Sequence, residues 1–154
     1  MKKLFLILAM LFSTLGTYSQ EVVIPFNDLP NRTKSFLLKY YNDTKYANPL
    51  YFVEYDGYYN NKVDGFVVKF ENGTVIDFEK NGSLESIYTG VADTITPEIL
   101  PKKVRKSFKK INPRNYPIVE LSIDRDGFIT EYEIEISSGV EIIINTKGNI
   151  KQES

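Results

Sequence analysis

The chain has 154 residues, with 19 basic against 20 acidic side chains, and it contains no Cys, no His and no Trp. So mild a charge balance argues against nucleic acid as a global partner. The missing residue types exclude disulfides, Cys/His zinc sites and thiolate or imidazole nucleophile–base pairs, so any catalysis would rest on carboxylates, Lys, Tyr or Ser.

At the N-terminus Lys2 and Lys3 precede the apolar run "LFLILAMLF", Leu4 to Phe12. A spanning helix needs about 20 apolar residues, so this run is too short to cross a membrane. With small Thr17 and Ser19 behind it, it reads as a secretory signal peptide over 1–19, cut between Ser19 and Gln20. No Cys follows the run, which excludes a lipoprotein anchor. The rest, with 17 basic and 20 acidic residues, has no second run of spanning length and is expected to be periplasmic or secreted.

Residues 28–41, "DLPNRTKSFLLKYY", place Thr33, Phe36, Leu37, Tyr40 and Tyr41 at helical spacing, and Leu29-Pro30 suits a helix start. After Pro49, Tyr51, Val53 and Tyr55 alternate as one face of a strand. The segment "FENGTVIDFEKNG", Phe70 to Gly82, continues the pattern. Phe66, Val68 and Phe70, then Thr74, Ile76 and Phe78, form one face, and Asn72-Gly73 supplies a tight hairpin turn. Asn81-Gly82 turns into a further strand near 84–88.

The pattern is then written again. "ILPKKVRKSFKKI" (99–111) carries Val104, Phe108 and Ile111 on one helical stripe behind Leu100-Pro101. After Pro117 come Val119, Leu121 and Ile123, then Tyr132, Ile134 and Ile136, a Ser138-Gly139 turn, and Val140, Ile142 and Ile144. Lys147-Gly148 leads to a short strand near Ile150. The expected fold class is therefore α+β, a tandem repeat of a helix plus an antiparallel meander, with repeat 1 at 20–89 and repeat 2 at 90–154. A unit of about 65 residues hides only about 60 % of its unfolded surface, so the two should pack together or share a sheet.

These residues resemble a known family. The Leu-Pro helix, the meander with "NGTVIDFEKNG", the second helix at "TPEILPKKV" and the closing "SGVEIIINTKGNI" look like the PepSY-like proteins exported by Bacteroidetes. The similarity covers nearly all of 28–151. It implies a fold like that of the β-lactamase inhibitor protein and a non-catalytic, periplasmic or secreted, inhibitor-like binding module. The expected partner is a protein of the cell envelope, and no cofactor is expected. The family offers no catalytic residues to carry over.

The residues themselves nominate a contact surface. Seven of the eleven Tyr lie between 40 and 59, and Tyr58 and Tyr59 fall at a hairpin tip, "DGYYNNKVDG", with no obvious core partner. Phe52 falls on the outward side of its strand. Aromatic side chains bury large area with few rotors, which suits all three to an interface, as an alternative to capping the neighbouring repeat. Residues 116–144 hold seven acids and the single base Arg125, and put Glu131, Glu133 and Glu135 on the outward sheet face with Glu120 and Asp124. The helix before them is basic from Lys102 to Lys110, and both features also fit ordinary solvated faces. The segment "SIDRDGFITEYE" partly matches a calcium loop, but Ser122 replaces the first Asp and the flanks alternate as strands, so it reads as a hairpin turn and no metal ligands are assigned. The leading expectation is an exported protein-binding module using the outward sheet and the 56–65 tip. The alternative is a small-ligand or cation-binding protein using the acidic face.

Overall fold

Each helix begins on the Leu-Pro pair that the sequence offers. In the computed structural model, which describes residues 20–56 and 62–153, α1 spans Asn31–Tyr40 behind Pro30 and α2 spans Lys102–Ile111 behind Pro101. Proline suits this position because its missing N–H would have no helical partner there. α1 buries Thr33 and Leu37, and α2 buries Val104 and Phe108, one turn apart on a single stripe.

The strands form one nine-stranded antiparallel sheet in sequential order. They are β1 (Gln20–Ile24), β2 (Leu50–Tyr55), β3 (Val63–Lys69), β4 (Val75–Glu79), β5 (Leu84–Tyr88), β6 (Ile118–Asp126), β7 (Ile129–Ile136), β8 (Glu141–Asn145) and β9 (Ile150–Glu153). The fold is thus mixed α/β, and both helices pack on one face of the sheet. The register places Ile24, Tyr51, Val68, Ile76, Ile87, Leu121, Ile134 and Ile142 in one apolar row across eight strands. Six of these are fully buried, and with Leu37, Phe78, Val104 and Phe108 they make one continuous core beneath the helices. The seam between β5 and β6 is short, with the pairs Ser86–Ser122, Ile87–Leu121 and Tyr88–Glu120.

Both helices are tied to a turn of the sheet in a similar way. The Thr33 hydroxyl donates to the Gly82 carbonyl at 3.4 Å, and the Ser107 hydroxyl donates to the Gly148 carbonyl at 2.6 Å. Gly82 and Gly148 have φ of +78° and +87°, and a Cβ on either would press into the helix above it.

Two details depart from the alternation read in the sequence. A bulge between Ile118 and Glu120 turns Ile118, not Val119, into the core. β1 was not expected at all; its side chains are largely exposed, so it carries little apolar signal and is held chiefly by pairing with β2.

The segment that joins β5 to α2 is locked by Asp93, a buried carboxylate. Asp93 accepts from Lys45 Nζ (3.0 Å), the Tyr46 hydroxyl (3.0 Å), the Thr94 N–H (2.8 Å), the Thr74 hydroxyl (2.7 Å) and Asn72 Nδ2 (3.3 Å). Burial by itself pushes its pKa up, but these hydrogen bonds together outweigh burial and hold the carboxyl below its ordinary value. Gly90 lets the linker press against the β3–β4 turn, since a Cβ there would lie 1.8 Å from the Asn72 carbonyl oxygen.

Candidate binding face

With both helices on one side, the other side of the sheet carries no covering layer among the described residues. The alternation that sends Val68, Ile76, Leu121 and Ile134 inward sends acids outward. Two depressions on this face are walled by carboxylates. One, of about 340 Å³, is lined by Glu54, Asp64, Glu79, Lys80 and Glu85. Gly65 forms its floor, where a Cβ would sit 2.7 Å from the Phe78 carbonyl oxygen. The other, of about 150 Å³, is lined by Glu120, Ser122, Glu133, Glu135 and Glu141. In register terms Glu120, Glu135 and Glu141 are direct neighbours on β6, β7 and β8.

The face has few counter-charges. Lys69 pairs with Glu21 at 2.7 Å, Arg125 with Glu79 at 2.6 Å, and Lys151 with Glu131. Among the described residues, Glu54, Asp77, Glu85, Glu120, Glu133, Glu135 and Glu141 take part in no ion pair. Like charges facing one another across adjacent strands are destabilising. Burial raises the Glu54 carboxyl first, and the charges of Asp77, Glu21, Asp64 and Glu85 add to it. Glu85 is raised by burial and then by Asp77, Glu79 and Asp64, with Arg125 opposing. Asp77 is raised by burial against the pull of the Ser86 hydroxyl and Lys69. Glu120 is raised by burial and by Glu135, Glu141 and Glu133. The face therefore holds uncompensated negative charge that a positively charged surface would relieve.

The residues expected from the sequence are not brought together as one site. Glu133 and Glu135 share the second depression. Glu131 is tied to Lys151 instead. Phe52 faces outward opposite Val67, half-buried beneath Lys69 Nζ at 4.7 Å from the ring centre, five strands from β7. Tyr58 and Tyr59 lie outside the described residues. The segment "SIDRDGFITEYE" is the β6–β7 hairpin, and among the described residues no three acids are grouped so as to hold a metal ion. The sequence reading missed the first depression, although the outward alternation of Asp77 and Glu79 on β4 was available as a signal. It also missed Phe128, whose ring stands fully exposed at the β6–β7 tip beside half-exposed Ile129. No helix among the described residues is long and apolar enough to cross a membrane.

A sheet closed on one side by two helices and open on the other defines the class of protein, and comparison with known proteins gives the family. Residues 64–152 match the model of the family described as "Putative beta-lactamase-inhibitor-like, PepSY-like", and the chain belongs to that family. No curated protein matches it. Among solved structures, a protein of the DUF2874 family from Bacteroides vulgatus, described as a "putative periplasmic protein", is similar with a TM-score of 0.69 and 21 % identity, over 88 % of this chain and 97 % of that one. A protein from Bacteroides thetaiotaomicron, described as a "putative calcium-regulated periplasmic protein", gives 0.69 and 21 % over 87 % and 96 %. A further protein from Bacteroides vulgatus, described as a "putative periplasmic protein of unknown function", gives 0.67 and 22 % over 88 % and 99 %. At this identity the likeness concerns the fold.

Proposed function

We propose that this is an exported, non-catalytic module that binds a protein of the cell envelope through its open sheet face, in the manner of an inhibitor. The observation that carries the reading is the group of carboxylates that, among the described residues, have no counter-ions and lie on a sheet face that no other element covers. It selects a partner whose contact surface is basic. The exposed Phe128 supplies an aromatic anchor at one end of that face, and Phe52, with Tyr58 and Tyr59 on the evidence of the sequence, supplies others. Membership in an inhibitor-like family and the periplasmic descriptions of the structural neighbours support both the binding role and the location. The signal peptide over 1–19, cut after Ser19, belongs to the same reading.

We further read residues 20–89 and 90–154 as two copies of one unit. The reading is supported by a helix ahead of four strands in each, and by the matching ties of Thr33 to Gly82 and Ser107 to Gly148.

The experiment is capture from envelope extract by the native chain and by a Glu133→Lys/Glu135→Lys variant, with Tyr58→Ala/Tyr59→Ala as a second arm. A partner retained by the native chain and lost from the charge-reversed one supports the sheet face. Equal capture refutes it. Equal capture in the second arm alone removes the tip from the contact. A calcium-dependent rise in melting temperature that Glu133→Lys/Glu135→Lys abolishes would favour the cation-binding alternative.

A further inference from the structure

On the helix side of the sheet, above the seam where β5 meets β6, a groove of about 220 Å³ lies between α1 and the 99–101 segment that leads into α2. Its walls are aromatic, from Phe36 and Tyr40 on α1 and Tyr132 on β7, and its floor is aliphatic, from Leu84, Ile99 and Ile123. All of these except Ile123 keep part of their surface open to solvent. The polar groups at the groove differ in kind from those on the opposite face. Among the described residues no carboxylate lines it, in a chain with 20 acidic residues, and two guanidinium groups, of Arg32 and Arg125, do.

The two cations are not equivalent. Arg125 is already committed, to the Glu79 carboxylate at 2.6 Å and the Leu84 carbonyl at 2.7 Å. Arg32, in the first turn of α1, takes part in no ion pair or side-chain hydrogen bond among the described residues, and neither does the Tyr132 hydroxyl. Burial raises the Tyr132 pKa against the charge of Arg125, so the phenol stays protonated and able to donate. A concavity that joins aromatic and aliphatic side chains to two uncommitted donors suits a ligand with a greasy body and one negative end. The volume lies below the roughly 300–1,000 Å³ of sites for drug-sized molecules, which limits that body to about the size of a phenyl ring.

We propose that the groove between α1 and the 99–101 segment binds a small carboxylate with a compact apolar body, the carboxylate on Arg32 and the Tyr132 hydroxyl and the body between Phe36, Tyr40 and Leu84. The site is independent of the sheet-face contact. A second cavity, of about 230 Å³ beside the end of α2, carries Lys109, but its Tyr116 hydroxyl already accepts from Arg114 and its buried Asn112 is bonded to the Tyr116 backbone through both ends of its amide.

The test is an NMR titration of the full chain with phenylpropionate, with phenylpropionamide and phenylpropylamine as neutral and cationic counterparts. The expected result is saturable shifts confined to α1, β5 and the β6–β7 hairpin. The acid should bind at least about tenfold more tightly than the amide, as expected for a hydrogen bond to a charged group. Arg32→Ala, an exposed position, should bring acid and amide to the same affinity without changing the melting temperature. Ile99→Trp should block all three probes. Absence of saturable shifts, equal binding of the three probes, or shifts on the opposite sheet face would overturn the assignment. Tighter binding by a peptide ending in phenylalanine than by the free acid would also overturn it, since the occupant would then be a protein terminus.

Discussion

Replacing Asp93 by Ala tests the reasoning about the linker lock most sharply. The five donors on this carboxylate are not worth the same. Lys45 is half exposed and rehydrates when its partner is lost, so its ion pair counts for little. The Asn72 contact, at 3.3 Å, is long. The Tyr46 and Thr74 hydroxyls belong to buried residues and would lose their acceptor outright. At about 1–3 kcal/mol for each buried group left unsatisfied, the two together give a loss of roughly 3 kcal/mol. That is a large share of the 5–15 kcal/mol typical of a domain. The assay is urea denaturation of the native chain and of Asp93→Ala, with the slope unchanged and the midpoint lowered. Asp93→Asn adds a check on charge. A carboxyl held below its unfolded value gives stability that is complete above that unfolded value and is lost as pH falls through the folded one. The native chain should therefore lose this contribution below about pH 4, and Asp93→Asn should lack that acid-dependent loss. A change of under about 0.5 kcal/mol in Asp93→Ala, the range of an ordinary surface substitution, would refute the account of the lock.

Other consequences are equally direct. Glu54, Asp77, Glu85 and Glu120 have the opposite sign from Asp93: their raised values mean the folded state holds the proton more tightly, so stability rises as pH falls from neutrality through those values. Urea midpoints should be higher near pH 5 than at pH 7, and a steady fall over that interval would contradict the charge account of the sheet face. Ile87→Ala, at the seam between Ile76 and Leu121, should cost about 2–5 kcal/mol in the same assay, and a cost near zero would mean the seam is not packed. Gly148→Ala forces a Cβ to within 2.9 Å of Ser107 Oγ at a φ of +87°, so it should destabilise by more than about 1 kcal/mol. Phe128→Ser should leave the urea midpoint unchanged, because the ring is fully exposed, while weakening capture of the partner.

Much of the fold was legible because its signals are local. Leu29-Pro30 and Leu100-Pro101 mark helix starts, and alternation around Asn72-Gly73 and Ser138-Gly139 marks hairpins, each within a few residues. Features that depend on distant partners were not legible. β1 is a strand because β2 offers it a partner, and the β6 bulge shifts Ile118 inward against a register set by β7. Asp93 looks like any linker acid until Thr74 and Tyr46 are brought around it. For the binding face, outward alternation identified Glu133 and Glu135 but could not show that Lys151 occupies Glu131, nor that Glu54 and Glu85 meet over Gly65. Phe128 was hidden inside a turn signal whose Asp-Gly pair explained the local sequence without it.

The central claim is that the acidic side of the sheet, opposite the helices, is the surface that engages a protein. Cross-linking of the native chain to its captured partner, with the linked residues mapped by mass spectrometry, tests this most directly. The account predicts links from the outward carboxylates, Glu120, Glu133, Glu135 and Glu141 among them, to lysines of the partner. Links confined to the helix side, around Lys102 to Lys110, would contradict it.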